Sequence, residues 1–192
     1  MKALKWIGGI LLILILGFFA IGLVKPTVEY GHTITVDKPI EEAWEVYHDV
    51  SKYDQWLKGF KSMDLISGDP GAVGSKYKVV VKPAPDQPDF EMTETIISMK
   101  PNDHITLQFD ADMMKFTQKA TFKETANGTS ITTDSEVFGN GASMKSMFAL
   151  MEMTTGSFQA QEEENYNNLK MVIENNVAMQ VEEMETLKSI IE

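Results

Sequence analysis

The sequence predicts an α+β domain: one opening strand, two short helices, six further antiparallel strands and a long C-terminal helix, all behind an apolar N-terminal segment. Three observations carry this reading. The stretch from Trp6 to Val24 holds no charged residue. Period-two alternation then recurs between turn signals from His32 to Gly139, and from Ala142 the apolar spacing changes to three and four.

The N-terminal segment comes first. Nineteen uncharged residues at about 1.5 Å each cross most of a hydrocarbon core of about 30 Å. Two readings stand: an uncleaved anchor, or a signal peptide processed near Ala20 and Gly22. The length of "WIGGILLILILGFFAIGLV" exceeds a usual signal core and favours residues 1–25 as a transmembrane anchor. Lys2 and Lys5 ahead of it place the N-terminus inside and the domain on the extracytoplasmic side. Residues 26–31 are then expected to be a linker, residues 32–175 the domain, and residues 176–192 a helical extension.

In "HTITVDKP" Ile34 and Val36 alternate with threonines as in a half-buried strand. Pro39 suits the first turn of a helix, Glu41 and Glu42 complement its positive end, and Ala43, Trp44, Val46 and Tyr47 give it an apolar face. A second short helix near Ser51–Leu57 carries Tyr53 and Trp56. The strands that follow are parted by "GDPGAVG", by the proline-rich "PAPDQPD", by Pro101-Asn102-Asp103, and by a tight turn at Asn127-Gly128. The last apolar stripe runs from Met144, Met147, Phe148 and Met151 through Tyr166, Leu169 and Ile173 to Ile191, with Gly156 as a point of interruption.

Composition excludes several functions. A net charge of −11 opposes nucleic-acid binding, and all seventeen basic residues are lysine, so no guanidinium fork is available for phosphate. The absence of cysteine removes disulfides, thiolate metal sites and cysteine nucleophiles.

Within this order, "ITVDKPIEEAWEVYHDVSKYDQW", "GAVGSKY", "ETIISMKPNDHITL" and "YNNLKMVIE" follow one another across His32 to Glu174. Together they resemble the polyketide cyclase and START-like superfamily, SRPBCC, with its helix-grip (START/Bet v 1-like) fold. The resemblance implies a curved antiparallel sheet of about seven strands wrapped around the C-terminal helix, with the two short helices closing one end. It also implies a cavity between sheet and helix for a hydrophobic or amphipathic small molecule, lipid included.

Alternation names the walls of such a cavity. Tyr77, Val79, Met92, Leu107, Phe109 and Phe116 are expected from the sheet, Trp56 from the second short helix, and Met147, Phe148 and Met151 from the long helix. Adaptable methionine thioethers suit apolar ligands of varied shape. The alternative for each residue is ordinary core packing.

Catalytic and metal-binding patterns are weak. Glu45 and His48 make a single E-x-x-H pair, and His32 and His104 have no ligand spacing, so no metal and no cofactor is expected. Glu94 could face the cavity between Met92 and Ile96, where burial would raise its pKa, unless a bulge or an outward face removes it. Asp110, Asp112, Asp134 and Glu136 lie near strand ends, and "QEEEN" at 161–165 reads as a solvated helix face. No catalytic constellation emerges. The expected function is a membrane-tethered hydrophobic-ligand binder. The alternatives are a cyclase, dehydratase or hydrolase using the same pocket, and a protein-interaction module resembling chaperone activators, with self-association through the C-terminal helix.

Overall fold

The structure, a computed structural model, describes residues 2–176; the expected helical extension and its self-association lie outside the described residues. Helix α1 spans Lys2–Val24, and its segment Lys5–Val24 is long and apolar enough to cross a membrane. Strands β1 (Thr27–Tyr30) and β2 (Thr33–Val36) follow, then α2 (Ile40–His48), a 3-10 turn at Val50–Lys52 and α3 (Tyr53–Trp56). Six strands come next: β3 (Phe60–Ser67), β4 (Lys76–Val81), β5 (Phe90–Lys100), β6 (His104–Asp110), β7 (Met114–Thr125) and β8 (Gly128–Gly139). Helices α4 (Ala142–Thr155) and α5 (Ser157–Glu174) complete the described chain.

The sheet is antiparallel with spatial order β1-β8-β7-β6-β5-β4-β3, and β2 also pairs with β8. The segment expected as a linker, residues 26–31, therefore contains a strand. Tyr30 opposes Ser135 and Thr33 opposes Thr132, so the register carries unshifted from β1 into β2. The two are one edge strand interrupted at Gly31 and His32. There the His32 amide donates to Thr133 Oγ1 at 2.9 Å, and the Thr133 amide donates to His32 O at 2.8 Å. The eighth strand arises from this upstream extension.

Two smaller departures have local causes. Gly156 adopts φ 58°, ψ 32° and divides the expected long helix into α4 and α5. The β7–β8 hairpin turns at Ala126 and Asn127 rather than at Asn127 and Gly128, because Thr125 pairs with Gly128. Gly128 at φ 113° lies against Val36 O, a position no side chain could share.

The core follows from the periodicities. From α5, Tyr166, Leu169 and Ile173 project on one stripe and are essentially inaccessible. They meet Val46 and Tyr47 of α2, Trp56 of α3, and Ile96, Ile105, Phe122 and Ile131 of the sheet. The two tryptophans of the domain divide the work: Trp44 packs edge-on against Phe122 at 5.1 Å, whereas Trp56 lies among Tyr47, Tyr53 and Tyr166 at 5.5 to 6.0 Å. A second cluster, Val28, Val137 and Phe148, joins α4 to β1 and β8.

Candidate ligand site

The inner face of the sheet is laid out by register. Leu65, Tyr77, Glu94, Phe109, Phe116, Val137 and Val28 stand opposite one another in turn, one row across seven strands. Opposed residues share a face, so this row projects toward α4 and α5. Next to it run Met63, Val79 and Met92 on one side, and Ile96, Leu107, Gln118 and Ser135 on the other.

Solvent reaches the two halves of this face differently. Toward β8 the row ends on the buried Val137 and Val28 and carries an aromatic ladder: Phe109 stacks on Phe116 at 5.2 Å, Tyr30 lies parallel to Phe116 at 6.4 Å, and Phe158 lies on Tyr30 at 5.7 Å. Toward β3 it opens, with Tyr77, Met92 and Phe109 half-buried and Leu65 exposed. Val79 is buried between them.

Glu94 stands in the middle of this row. Glu94 is 6% exposed, and the register shift of β5 falls later, between Ile96 and Ser98, so neither a bulge nor an outward face removes it. Burial raises its pKa to about 7, with no hydrogen bond among the described residues holding the charged form. Its charge in turn helps to push the phenols of Tyr47 and Tyr53, on α2 and α3, further from ionisation. In that same neighbourhood the buried indole Nε1 of Trp56 has no hydrogen-bond partner among the described residues.

Glu162 is the second buried carboxyl, one turn before Tyr166 on the inward stripe of α5. It accepts from Thr133 Oγ1, from Ser135 Oγ at 2.8 Å and from Gln118 Nε2 at 3.1 Å. Burial still raises its pKa, against the lowering effect of those bonds. Tyr166 Oη donates to Gln118 Oε1 at 3.4 Å and lies 3.4 Å from Tyr47 Oη, so a polar thread crosses from α2 to β8. The expected solvated face at 161–165 is thus broken at Glu162. Its spacing of four and seven from Tyr166 and Leu169 was the available signal.

The other expected wall residues distribute as follows. Trp56 and Phe148 are buried, Leu107 is half-buried against the main core, and Phe116 and Met151 are half-buried in the second cluster. Met147 departs from the expectation: it is 39% exposed, because Phe148 and Ala149 take the inward positions of α4. Tyr30 and Phe158, which complete the aromatic ladder, were hidden by the linker reading and by the break at Gly156.

The E-x-x-H pair does not converge on a metal site. His48 Nδ1 donates to Trp44 O at 2.8 Å, its ring packs 4.1 Å from Trp44, and burial lowers its pKa. Among the described residues no three His, Cys, Asp or Glu side chains are grouped to hold a metal. Asp134, Glu136 and Asp112 are exposed. Two open surface depressions, of about 320 and 360 Å³, lie elsewhere, beside the β7–β8 turn and between α3 and the end of α5.

The sequence pattern of the family described as polyketide cyclase / dehydrase and lipid transport matches residues 27–174. The chain belongs to this family. The match begins at the first residue of β1, in agreement with that strand being part of the domain. Solved structures share the fold at low identity. Protein CV1439 from Chromobacterium violaceum is 13% identical, with 78% of this chain and 99% of that chain covered and a TM-score of 0.59. Ara h 8.0201 is 12% identical over 78% of this chain and 99% of its own, with a TM-score of 0.61. The di-domain ARO/CYC StfQ from the steffimycin biosynthetic pathway is 12% identical over 78% of this chain and 52% of its own, with a TM-score of 0.62. No curated protein matches the chain. The helix-grip SRPBCC fold inferred from the sequence motifs is therefore the fold of this protein, and that fold family suits hydrophobic ligands.

Proposed function

We propose that the protein is a membrane-tethered binder of a hydrophobic or amphipathic small molecule of lipid type, held between the inner sheet face and helices α4 and α5. One observation carries this reading. The open half of that face is apolar at Tyr77, Val79, Met92 and Phe109, yet it surrounds the buried Glu94, which no side chain among the described residues neutralises. An unpaired buried carboxyl is costly in a finished core. It is useful beside a ligand that offers a hydroxyl or amide to Glu94 while its apolar part covers Phe109 and Met92. Trp56 Nε1 supplies a donor in the same neighbourhood. Helix α1 supports the tether, with the domain on the extracytoplasmic side as the lysines before the span suggest.

The test is native mass spectrometry of the full chain released from nanodiscs. A bound small molecule that disappears in Phe109→Asp supports the reading. A wild type free of ligand after purification from its own membranes, and unable to take up an apolar fluorophore, overturns it.

A second reading has its own support. A carboxyl with a pKa near 7 in an apolar setting suits proton transfer, so the same pocket could house a cyclase or dehydratase with Glu94 as its acid or base. Glu94→Gln separates the two. A pure binder retains its ligand in that variant, whereas an enzyme retains binding and loses turnover.

A further inference from the structure

Helix α4 is unusual for an exposed helix, because among its fourteen residues only Lys145 and Glu152 are charged. Met147, Leu150 and Met153 are 39%, 38% and 59% exposed. On the opposite side, Phe148 and Ala149 are buried in the domain. An apolar outer face on a helix already anchored to the core requires a partner.

The neighbour of α4 identifies that partner. Alone among the described side chains of α1, Phe18, Ile21 and Gly22 lose exposure, and α4 is the element packed against this helix. The approach is close: a Cβ on Gly22 would fall 2.6 Å from the backbone nitrogen of Ser146. Ser146 is fully buried and turns its hydroxyl back to Ala142 O at 3.0 Å, so the hydroxyl that faces Gly22 is already bonded within α4. Leu150 and Met153 lie four and seven residues beyond Ser146, on the same face of α4. The face that touches α1 therefore continues past it as exposed apolar surface.

Depth follows from helix geometry. The contact runs from Phe18 to Gly22, about 6 Å along the axis at about 1.5 Å per residue, and ends two residues short of Val24. If α1 spans the bilayer, this is the last part of the span, where Lys25 marks the exit. Helices that lie in the interface bury their apolar side about 5–10 Å into the boundary between headgroups and acyl chains.

We infer that α4 is an interfacial helix, seated in the bilayer surface beside the end of α1 through Met147, Leu150 and Met153. The inference rests on α1 being an uncleaved anchor. Because α4 also contributes Phe148 and Met151 to the inner cluster, one helix joins the membrane surface to the proposed ligand site. An apolar ligand could pass between bilayer and domain without crossing water.

The chain lacks cysteine, so single-cysteine variants of the full chain report one position each. Leu14→Cys in α1, Met153→Cys in α4 and Lys119→Cys on the outer face of β7 would be labelled with bimane. They would then be reconstituted in phosphatidylcholine vesicles brominated near the headgroup or near the chain ends. Fluorescence should fall for Met153→Cys, more with headgroup-proximal bromines, fall for Leu14→Cys, and stay unchanged for Lys119→Cys. Quenching of Leu14→Cys alone would overturn the interfacial helix and leave the anchor standing. No quenching at either site would remove the anchor and the inference with it. A blue-shifted but unquenched Met153→Cys would mean that protein covers α4, and stronger quenching of Met153→Cys by chain-end bromines would place α4 too deep; each overturns the inference.

Discussion

Glu94 on β5 stands directly opposite Phe109 on β6, so the sheet sets a buried acidic residue beside the aromatic ring where its open half meets the ladder toward β8. Raising the pKa of Glu94 to about 7 means that the folded state holds this proton more tightly than the unfolded chain does. Between the unfolded value of 4.5 and about 7 the native state binds more protons, so stability falls as pH rises through that window. Glu94→Gln removes the penalty. It is expected to stabilise the ligand-free protein by about 1–3 kcal/mol at pH 8, to change little at pH 4, and to flatten the pH dependence between. Urea unfolding at several pH values measures this, and an unaltered pH profile would show that Glu94 titrates normally.

Much of the fold could be read from the sequence because the turns are marked by residues with few alternatives. Pro101-Asn102-Asp103 is one case: Asn102 adopts φ 58° and the Asp103 amide closes the turn on Lys100 O at 3.1 Å. Alternation also gave the inward face correctly for Tyr77, Met92 and Phe109. What escaped was determined by distant partners. "TVEY" at 27–30 is too short to declare a strand, and it becomes one only because β8 is long enough to pair with both it and β2. The orientation of Glu94 was ambiguous for the same reason, since an acid on an inward position is ordinarily explained by a bulge, and only the neighbouring strand fixes the register. Met147 was misplaced because apolar residues occur all round α4, so spacing alone could not select its buried side.

Glu162 presents the contrasting case of a buried carboxyl that is well partnered. Replacing it with alanine leaves Thr133, Ser135 and Gln118 without their shared acceptor, and a loss of about 1–3 kcal/mol is expected. Glu162→Gln keeps the reach of the side chain and removes a charge that burial disfavours, so its cost should stay below about 1 kcal/mol. Equal destabilisation by the two variants would show that the charge itself holds the thread together. Chemical denaturation at pH 7 distinguishes these outcomes.

The β7–β8 turn offers a backbone test. A methyl group at Gly128 would meet Val36 O and lie 2.9 Å from the Lys38 nitrogen, and φ 113° is itself unfavourable for any other residue. These are backbone atoms at the junction of β2 and α2, so they cannot swing aside. Gly128→Ala is expected to cost at least about 1–3 kcal/mol, whereas Asn127→Ala at the exposed turn should stay within about 0.5 kcal/mol. Thermal melts of the two variants, compared at one pH, would reverse this order if the glycine were chosen only for flexibility.

The proposed site can be tested by filling it. Met92 is half-buried on β5, opposite Val79 and next along the inner face to Glu94. Tryptophan at this position adds a large ring toward α4 and α5. In a packed interior that ring would overpack the core and cost about 1–3 kcal/mol, as inserted bulk generally does. In an open ligand site it occupies the space reserved for the ligand at little cost, because the half-exposed surfaces of Tyr77 and Phe109 gain a partner. Met92→Trp is therefore expected to keep the stability of the wild type to within about 1 kcal/mol while abolishing uptake of an apolar fluorophore. Ile105→Trp provides the control for overpacking, since Ile105 is 3% exposed in the main core and should not tolerate the same ring. Comparable destabilisation by both variants, with fluorophore uptake retained in Met92→Trp, would place the ligand somewhere other than the face bearing Glu94.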